Sequence, residues 1–275
     1  MSFGPNPWQQ QSWDWRAAGN FICGGAGGGL IVCAALLNAP HWLLLWGAAW
    51  VGLGLSSVWL EIGRPWRAMH VYFNPRTSWM SREAIVAPLL FAAVAAAWLD
   101  VPLMPHVAAG LAAIFVFCQA RILQAAKGIP AWREPRLVPL IVATALAEGA
   151  GLLLLLVALT DAATWVQWAL FALTLLARAL AWVPWRERIR AARPALIALD
   201  RAGMVFRACT LLPLAIALLA VIASLPADAA RALQMVSGVL AVAGGAWFKF
   251  TLVTRGAFNQ GFALVSLPVR GVRRS

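Results

Sequence analysis

Between Ile62 and Glu83 the chain reads IGRPWRAMHVYFNPRTSWMSRE, which places four arginines, His70, Glu83 and the only tyrosine in one connection between two apolar runs. Imidazole exchanges protons near neutral pH, and guanidinium groups favour negative charge. Such a set can hold a polar headgroup or handle protons at a membrane interface. Trp66, Met69, His70 and Phe73 recur at helical spacing with Arg64 and Arg67 toward water, so the spacing predicts a short amphipathic helix lying in the interface, ended by Asn74 and Pro75. Ser81 or Thr77 then caps the next helix, with Glu83 near its positive end. An interfacial anchor before a capped helix explains much of this stretch. It leaves His70, Tyr72, Arg76 and Glu83, gathered beside Asn74, without a purpose, and both readings stay open.

A second polar residue stands alone. Glu148 interrupts LVPLIVATALAEGAGLLLLLVAL, residues 137 to 159, roughly 16 Å along a helix from its start at 1.5 Å per residue. A carboxylate at that depth is costly unless hydrated or paired. Either it hydrogen-bonds across a bundle as structural glue, or it belongs to a polar path for protons. Gln119 and Asn20 are smaller signals of the same kind.

The elements that must position these groups are legible from hydropathy. The chain of 275 residues is 62% hydrophobic and 12% charged, and its apolar runs of about 17 to 23 residues match the bilayer core. Eight helices are expected, at 19–38, 42–60, 84–99, 104–124, 137–159, 163–182, 204–224 and 232–253. The runs are too continuous for barrel strands. The fold class is therefore an all-α polytopic membrane protein, with eight transmembrane helices and an interfacial amphipathic segment between helices 2 and 3. Residues 1–275 form a single integral-membrane domain. The first run follows 18 mixed residues with one arginine and no basic cluster, so it is expected to stay as a membrane helix rather than be cleaved as a signal peptide.

Of the 22 basic residues, 21 fall on one face of this topology, including those from Arg178 to Arg207 and Lys249 with the terminal arginines. The positive-inside rule then puts the long basic loops and both termini in the cytoplasm, for a multi-pass protein of a bacterial-type cytoplasmic (inner) membrane; a basic face that docks an acidic partner on the other side of the membrane is the competing explanation. The net charge of +12 follows from that topology. With no soluble module to carry it, a nucleic-acid partner is not expected, and membrane lipids are.

Cys23, Cys33, Cys118 and Cys209 are isolated in apolar helices, without the clustered spacing that holds an iron–sulfur cluster. His41 and His106 fall at the ends of helices opposite the basic face, and His70 in a basic loop, so no two can ligate a haem within the membrane. No metal site, haem or cluster is expected in this chain. The glycines of GNFICGGAGGGL lie inside a helix rather than after a strand, so they serve close helix packing or make room for a flat ligand. The tail TRGAFNQGFALVSLPVRG is expected either to fold back across the basic end of the bundle or to lie as a simple interfacial tail.

Three stretches, EIGRPWRAMHVYFNPRTSWMSREA (61–84), TRGAFNQGFALVSLPVRG (254–271) and WDWRAAGNFICGGAGGGL (13–30), together resemble the membrane-anchor subunits of molybdopterin oxidoreductases of the NrfD, DmsC and polysulfide-reductase class. The last is most similar to the anchors of phenylacetyl-CoA:acceptor oxidoreductases. The resemblance implies a haem-free anchor that reacts with quinone or quinol (menaquinone or ubiquinone). It would exchange electrons with a partner iron–sulfur subunit and, through it, with a catalytic subunit carrying a molybdenum or tungsten bis-pterin. Such an anchor does not act alone on the organic or inorganic substrate. Carried onto this sequence, the resemblance implies that Asn20, Arg64, Arg76, Trp79 and Glu83 lie near the quinone headgroup. The helix-1 histidine of the polysulfide-reductase type is absent here, which leaves open whether His70 substitutes as proton donor beside the headgroup or a different side chain handles the proton; Glu148, by its own depth, is the candidate for a deeper proton-handling group. Two other classes compete: a proton-coupled secondary transporter with Glu148 as its coupling carboxylate, and a purely structural anchor.

Overall fold

The computed structural model describes residues 3–60, 65–223 and 226–262, with backbone only for 65–68. Eight helices in it are long and apolar enough to cross a membrane: α1 (Trp15–Leu36), α2 (Trp42–Trp59), α3 (Trp79–Trp98), α4 (Met104–Ala125), α5 (Leu137–Ala158), α6 (Trp165–Arg188), α7 (Arg193–Ile222) and α8 (Ala227–Val253). A 3₁₀ segment, Pro65–Phe73, lies between α2 and α3. The protein is an all-helical, multi-pass membrane protein.

Hydropathy located each span, while helix ends follow local chemistry instead. Helix α3 begins at Trp79 rather than at 84, because the Ser78 side chain accepts the Ser81 N–H at 3.3 Å; neither Ser81 nor Thr77 is the cap. Thr164 and Gln167 cap α6 reciprocally. The connection expected between 182 and 204 is mostly helix, because α6 and α7 continue through Arg-, Glu- and Ala-rich turns that leave the apolar zone without leaving the helix. Only residues 189–192 connect them.

Helices α1 to α4 pack around one another, as do α5 to α8, and the two groups meet where α1 lies along α5. These two central helices are also the most buried, 72% each, against 22% for α7. The glycines of α1 account for the close approach. A methyl group added at Gly149 of α5 would sink into the Gly29 backbone of α1, and one at Gly29 would meet the Ala145 carbonyl. In contrast, α2 and α3 barely touch although they are neighbours in sequence.

Both ends of the described chain are tied together at the basic end of the bundle. Gly4 N–H donates to the Gln260 carbonyl at 2.7 Å, Gln10 N–H to the Ala257 carbonyl at 2.9 Å, and Asn259 N–H to the Trp8 carbonyl at 3.0 Å. Trp13 stacks on Trp132, with ring centroids 4.9 Å apart. Up to Phe262 the tail thus folds back over the bundle; residues 263–271 lie outside the described residues.

Candidate functional site

Within α1, residues Asn20–Gly24 form a π turn, so the helix carries one wide turn just inside its basic end. Such turns disturb the regular backbone ladder and are frequent at functional sites. Side chains from two other helices come to its carbonyls. Gln119 Nε2 of α4 donates to the Asn20 carbonyl at 3.0 Å, and Lys249 Nζ of α8 donates to the Phe21 carbonyl at 2.9 Å. Gly24 and Gly25 make room for them: a methyl at Gly24 would strike the Gln119 amide, and one at Gly25 the Lys249 ammonium. These two glycines admit polar side chains, while Gly29 serves close helix packing.

On the outer side of this turn lies a chamber of about 740 Å³, within the size range of small-molecule sites. Trp13, Asn20 and Phe21 of the first helix and its approach, Trp59 of α2, and Glu83 and Phe91 of α3 are among its walls. The 3₁₀ segment adds Met69, Val71 and Tyr72. Its lining includes the exposed side chains of Trp59, Met69, Tyr72 and Met80, and it lies between α2 and α3, which barely touch. Inside, Asn20 Nδ2 donates to Glu83 Oε1 at 3.4 Å, with both residues buried. Asn20 Oδ1 and Gln119 Oε1 are buried without a hydrogen-bond partner. Glu83 is therefore not an exposed helix-terminus charge but a carboxyl group enclosed in the chamber wall.

Asn20 and Glu83, expected together, are together. His70, Arg76 and Trp79, expected with them, do not line the chamber, and Arg64 lies outside the described residues. The reason for His70 is helical period. In a 3₁₀ segment of three residues per turn, side chains three apart eclipse, so Met69 and Tyr72 share the chamber-facing row. His70 stacks edge-on with Phe73 at 5.6 Å, and both are exposed. A period of 3.6 had grouped Met69 with His70 instead. Arg76 is exposed in the turn before α3, where its carbonyl accepts the Arg82 guanidinium at 2.9 Å. Trp79 faces α4, with Phe117 at 5.7 Å and the guanidinium groups of Arg82 and Arg121 at 4.0 and 4.7 Å from its ring.

A second polar centre lies deeper. Glu148 Oε2 of α5 and Lys249 Nζ of α8 are 2.5 Å apart, with side chains 0% and 1% exposed. Gly245 provides the space that the carboxylate occupies. Arg178 of α6 is fully buried and close enough to act on Glu148 electrostatically. Its guanidinium donates to Thr210 Oγ1 at 2.9 Å, the Ala241 carbonyl at 2.8 Å and the Cys209 carbonyl at 2.6 Å. Position in sequence places Lys249 and Arg178 with the basic face, and the structure corrects this: both are interior groups and carry no weight in a topology argument. The signal that could have found Arg178 was depth, since it stands about 15 Å from the end of α6 at Arg188, whereas Lys249 lies only four residues from the end of α8 at Val253.

At the opposite end, His41 Nδ1 lies 3.2 Å from Asp100 Oδ1. Among the described residues, no three histidine, cysteine or acidic groups converge as a metal site would require. No protein-family model matches this sequence, and no curated protein matches it.

Proposed function

We propose that this protein is a quinone- or quinol-reactive membrane anchor of a multisubunit oxidoreductase, working between a partner iron–sulfur subunit and the membrane quinone pool, with a molybdenum or tungsten bis-pterin subunit beyond. The observation that carries this reading is the chamber in which Asn20 and Glu83 meet under the 3₁₀ segment, between α2 and α3. Its residues fit the headgroup chemically. Aromatic walls suit a flat ring, the unpartnered Asn20 Oδ1 and the Glu83 carboxyl suit ring hydroxyls, and the Tyr72 hydroxyl is a donor for a ring carbonyl. The α2–α3 gap gives an isoprenoid tail a way out into lipid.

When bound, a quinone supplies two-electron, two-proton redox chemistry. The residues of this chain do the rest. Glu83 accepts or returns a proton at its carboxyl oxygen, and Asn20 fixes that carboxyl from α1. Gln119 holds the π turn that presents Asn20, while Tyr72 closes the chamber toward water. The test compares two assays of the purified complex. Glu83→Gln should slow quinol-linked turnover about a hundredfold while electron transfer from the partner subunits to a soluble dye is unchanged. Equal turnover in both assays overturns the reading.

The Glu148–Lys249–Arg178 centre supports a second reading, a proton-coupled transporter, because enclosed ionisable groups in a membrane bundle mark proton and ion paths. Proteoliposomes containing this chain alone separate the two. Solute uptake driven by a pH gradient favours the transporter, and a requirement for a copurifying iron–sulfur subunit favours the anchor.

A further inference from the structure

We infer that the basic end of the α6–α7 groove is a binding site for the phosphodiester of an anionic phospholipid. The groove, about 560 Å³ in volume, is lined by Trp182, Arg186, Ile197, Asp200, Arg201, Met204 and Arg207. Its one carboxylate is already engaged: Arg186 grips Asp200 through two hydrogen bonds of 2.6 and 2.8 Å. Arg201 and Arg207 remain, both exposed and without an acidic partner among the described residues. Three guanidinium groups against one carboxylate leave the groove cationic.

The surroundings of Arg207 distinguish this from a solvated charge. Met204 and Leu211, three and four residues away on the same helix, are 59% and 55% exposed, and residues at that spacing share one helix face. Arg207 therefore stands on an apolar, lipid-facing strip of α7. Its Nε donates to the Gly203 carbonyl at 3.3 Å, one turn toward the basic end, so the side chain snorkels to headgroup depth. Helix α7 has 30 residues, about 45 Å at 1.5 Å each, against roughly 30 Å of hydrocarbon. Its first turns thus stand in the headgroup layer, where Arg201 lies. A charge on a lipid-facing strip is offset when it meets a phosphate, and basic pockets between helices hold anionic headgroups in this way. Exposed Ile197 and Met204 supply the apolar contact that an acyl chain needs and a free phosphate does not.

The test uses the full chain in detergent, stripped of lipid, with native mass spectrometry to count bound molecules. Phosphatidylglycerol or cardiolipin should remain bound where phosphatidylcholine of the same acyl chains does not, with inorganic phosphate in excess failing to displace it. Arg201→Gln/Arg207→Gln should weaken retention about tenfold or more. Arg188→Gln/Arg193→Gln, with the same charge change at exposed positions outside the groove, should leave retention intact, and matching unfolding temperatures show that both variants are folded. Equal loss in the two variants, equal retention of phosphatidylcholine, or displacement by inorganic phosphate overturns the site. So does loss of a copurifying protein from the groove variant with its lipid count unchanged.

Discussion

The chamber wall and the deep ion centre both attach to the π turn of α1, and they use charge differently. In the wall, one carboxyl group meets neutral amides and faces a cavity: Glu83 meets the amides of Asn20 and Gln119, and Gln119 also donates to the Asn20 carbonyl. In the interior, a carboxylate and two cations are fully buried, and the three helices that bear them, α5, α6 and α8, take no part in the chamber. An open carboxyl with neutral neighbours is suited to exchanging protons with a ligand. A sealed pair with a second cation beside it first fixes helix positions, because removing either partner strands a charge in low dielectric.

The contrast can be broken most directly at Glu148. Glu148→Gln leaves Lys249 and Arg178 buried without their shared counter-charge, and should destabilise the bundle by about 3–5 kcal/mol in detergent unfolding. Adding Lys249→Met should recover part of the loss. Wild-type stability in the single variant would show that the pair does not hold α5 to α8. For the same reason Glu148→Gln alone does not isolate a proton role, and the double variant is the proper control for turnover.

A smaller loss, about 1–3 kcal/mol, is expected for Gly149→Ala, whose methyl must push α5 away from Gly29. That cost should appear as a lower unfolding temperature whatever the turnover. Asn20→Ala sharpens the comparison from the chamber side. Gln119 bonds the backbone of Asn20 rather than its side chain, so the substitution should cost about 1 kcal/mol of stability while slowing quinol-linked turnover much more. Loss of folded protein would mean that the side chain is structural. The least effect is expected from His70→Phe and Arg76→Leu, about twofold or less in turnover and within about 0.5 kcal/mol in stability. A collapse of turnover in either, with Tyr72→Phe unaffected, would place the headgroup outside the chamber.

What the sequence made legible follows from which forces act locally. Eight apolar runs were readable because hydrocarbon thickness imposes itself on every span, and Asn20 and Glu83 stood out as polar residues near the starts of two such runs. The orientation of His70 was not readable, since a change from 3.6 to 3.0 residues per turn moves it to the other row, and nothing in PWRAMHVYF announces that change. Lys249 and Arg178 were hidden in a different way. By position each passes for part of a charged face; depth gives Arg178 away, while Lys249 is revealed only by its ion pair with Glu148 of α5. Ser78 was overlooked as the cap because hydropathy begins at Ala84, five residues inside the helix that starts at Trp79.

The wide turn at Asn20–Gly24 carries a further consequence, one of length. A π turn holds an extra residue, and one residue rotates a helix by about 100°. Ala17 and Asn20, which face the chamber, and Gly29, which faces α5, therefore belong to two helical screws set out of phase by that insertion. Deleting one residue of the turn would restore the regular backbone ladder, leaving the flanking turns in place but closing off the Asn20 and Phe21 carbonyls that Gln119 and Lys249 reach. Spacing, more than residue type, is the heritable property of this turn, and single-residue deletions there should be tolerated less well than most substitutions.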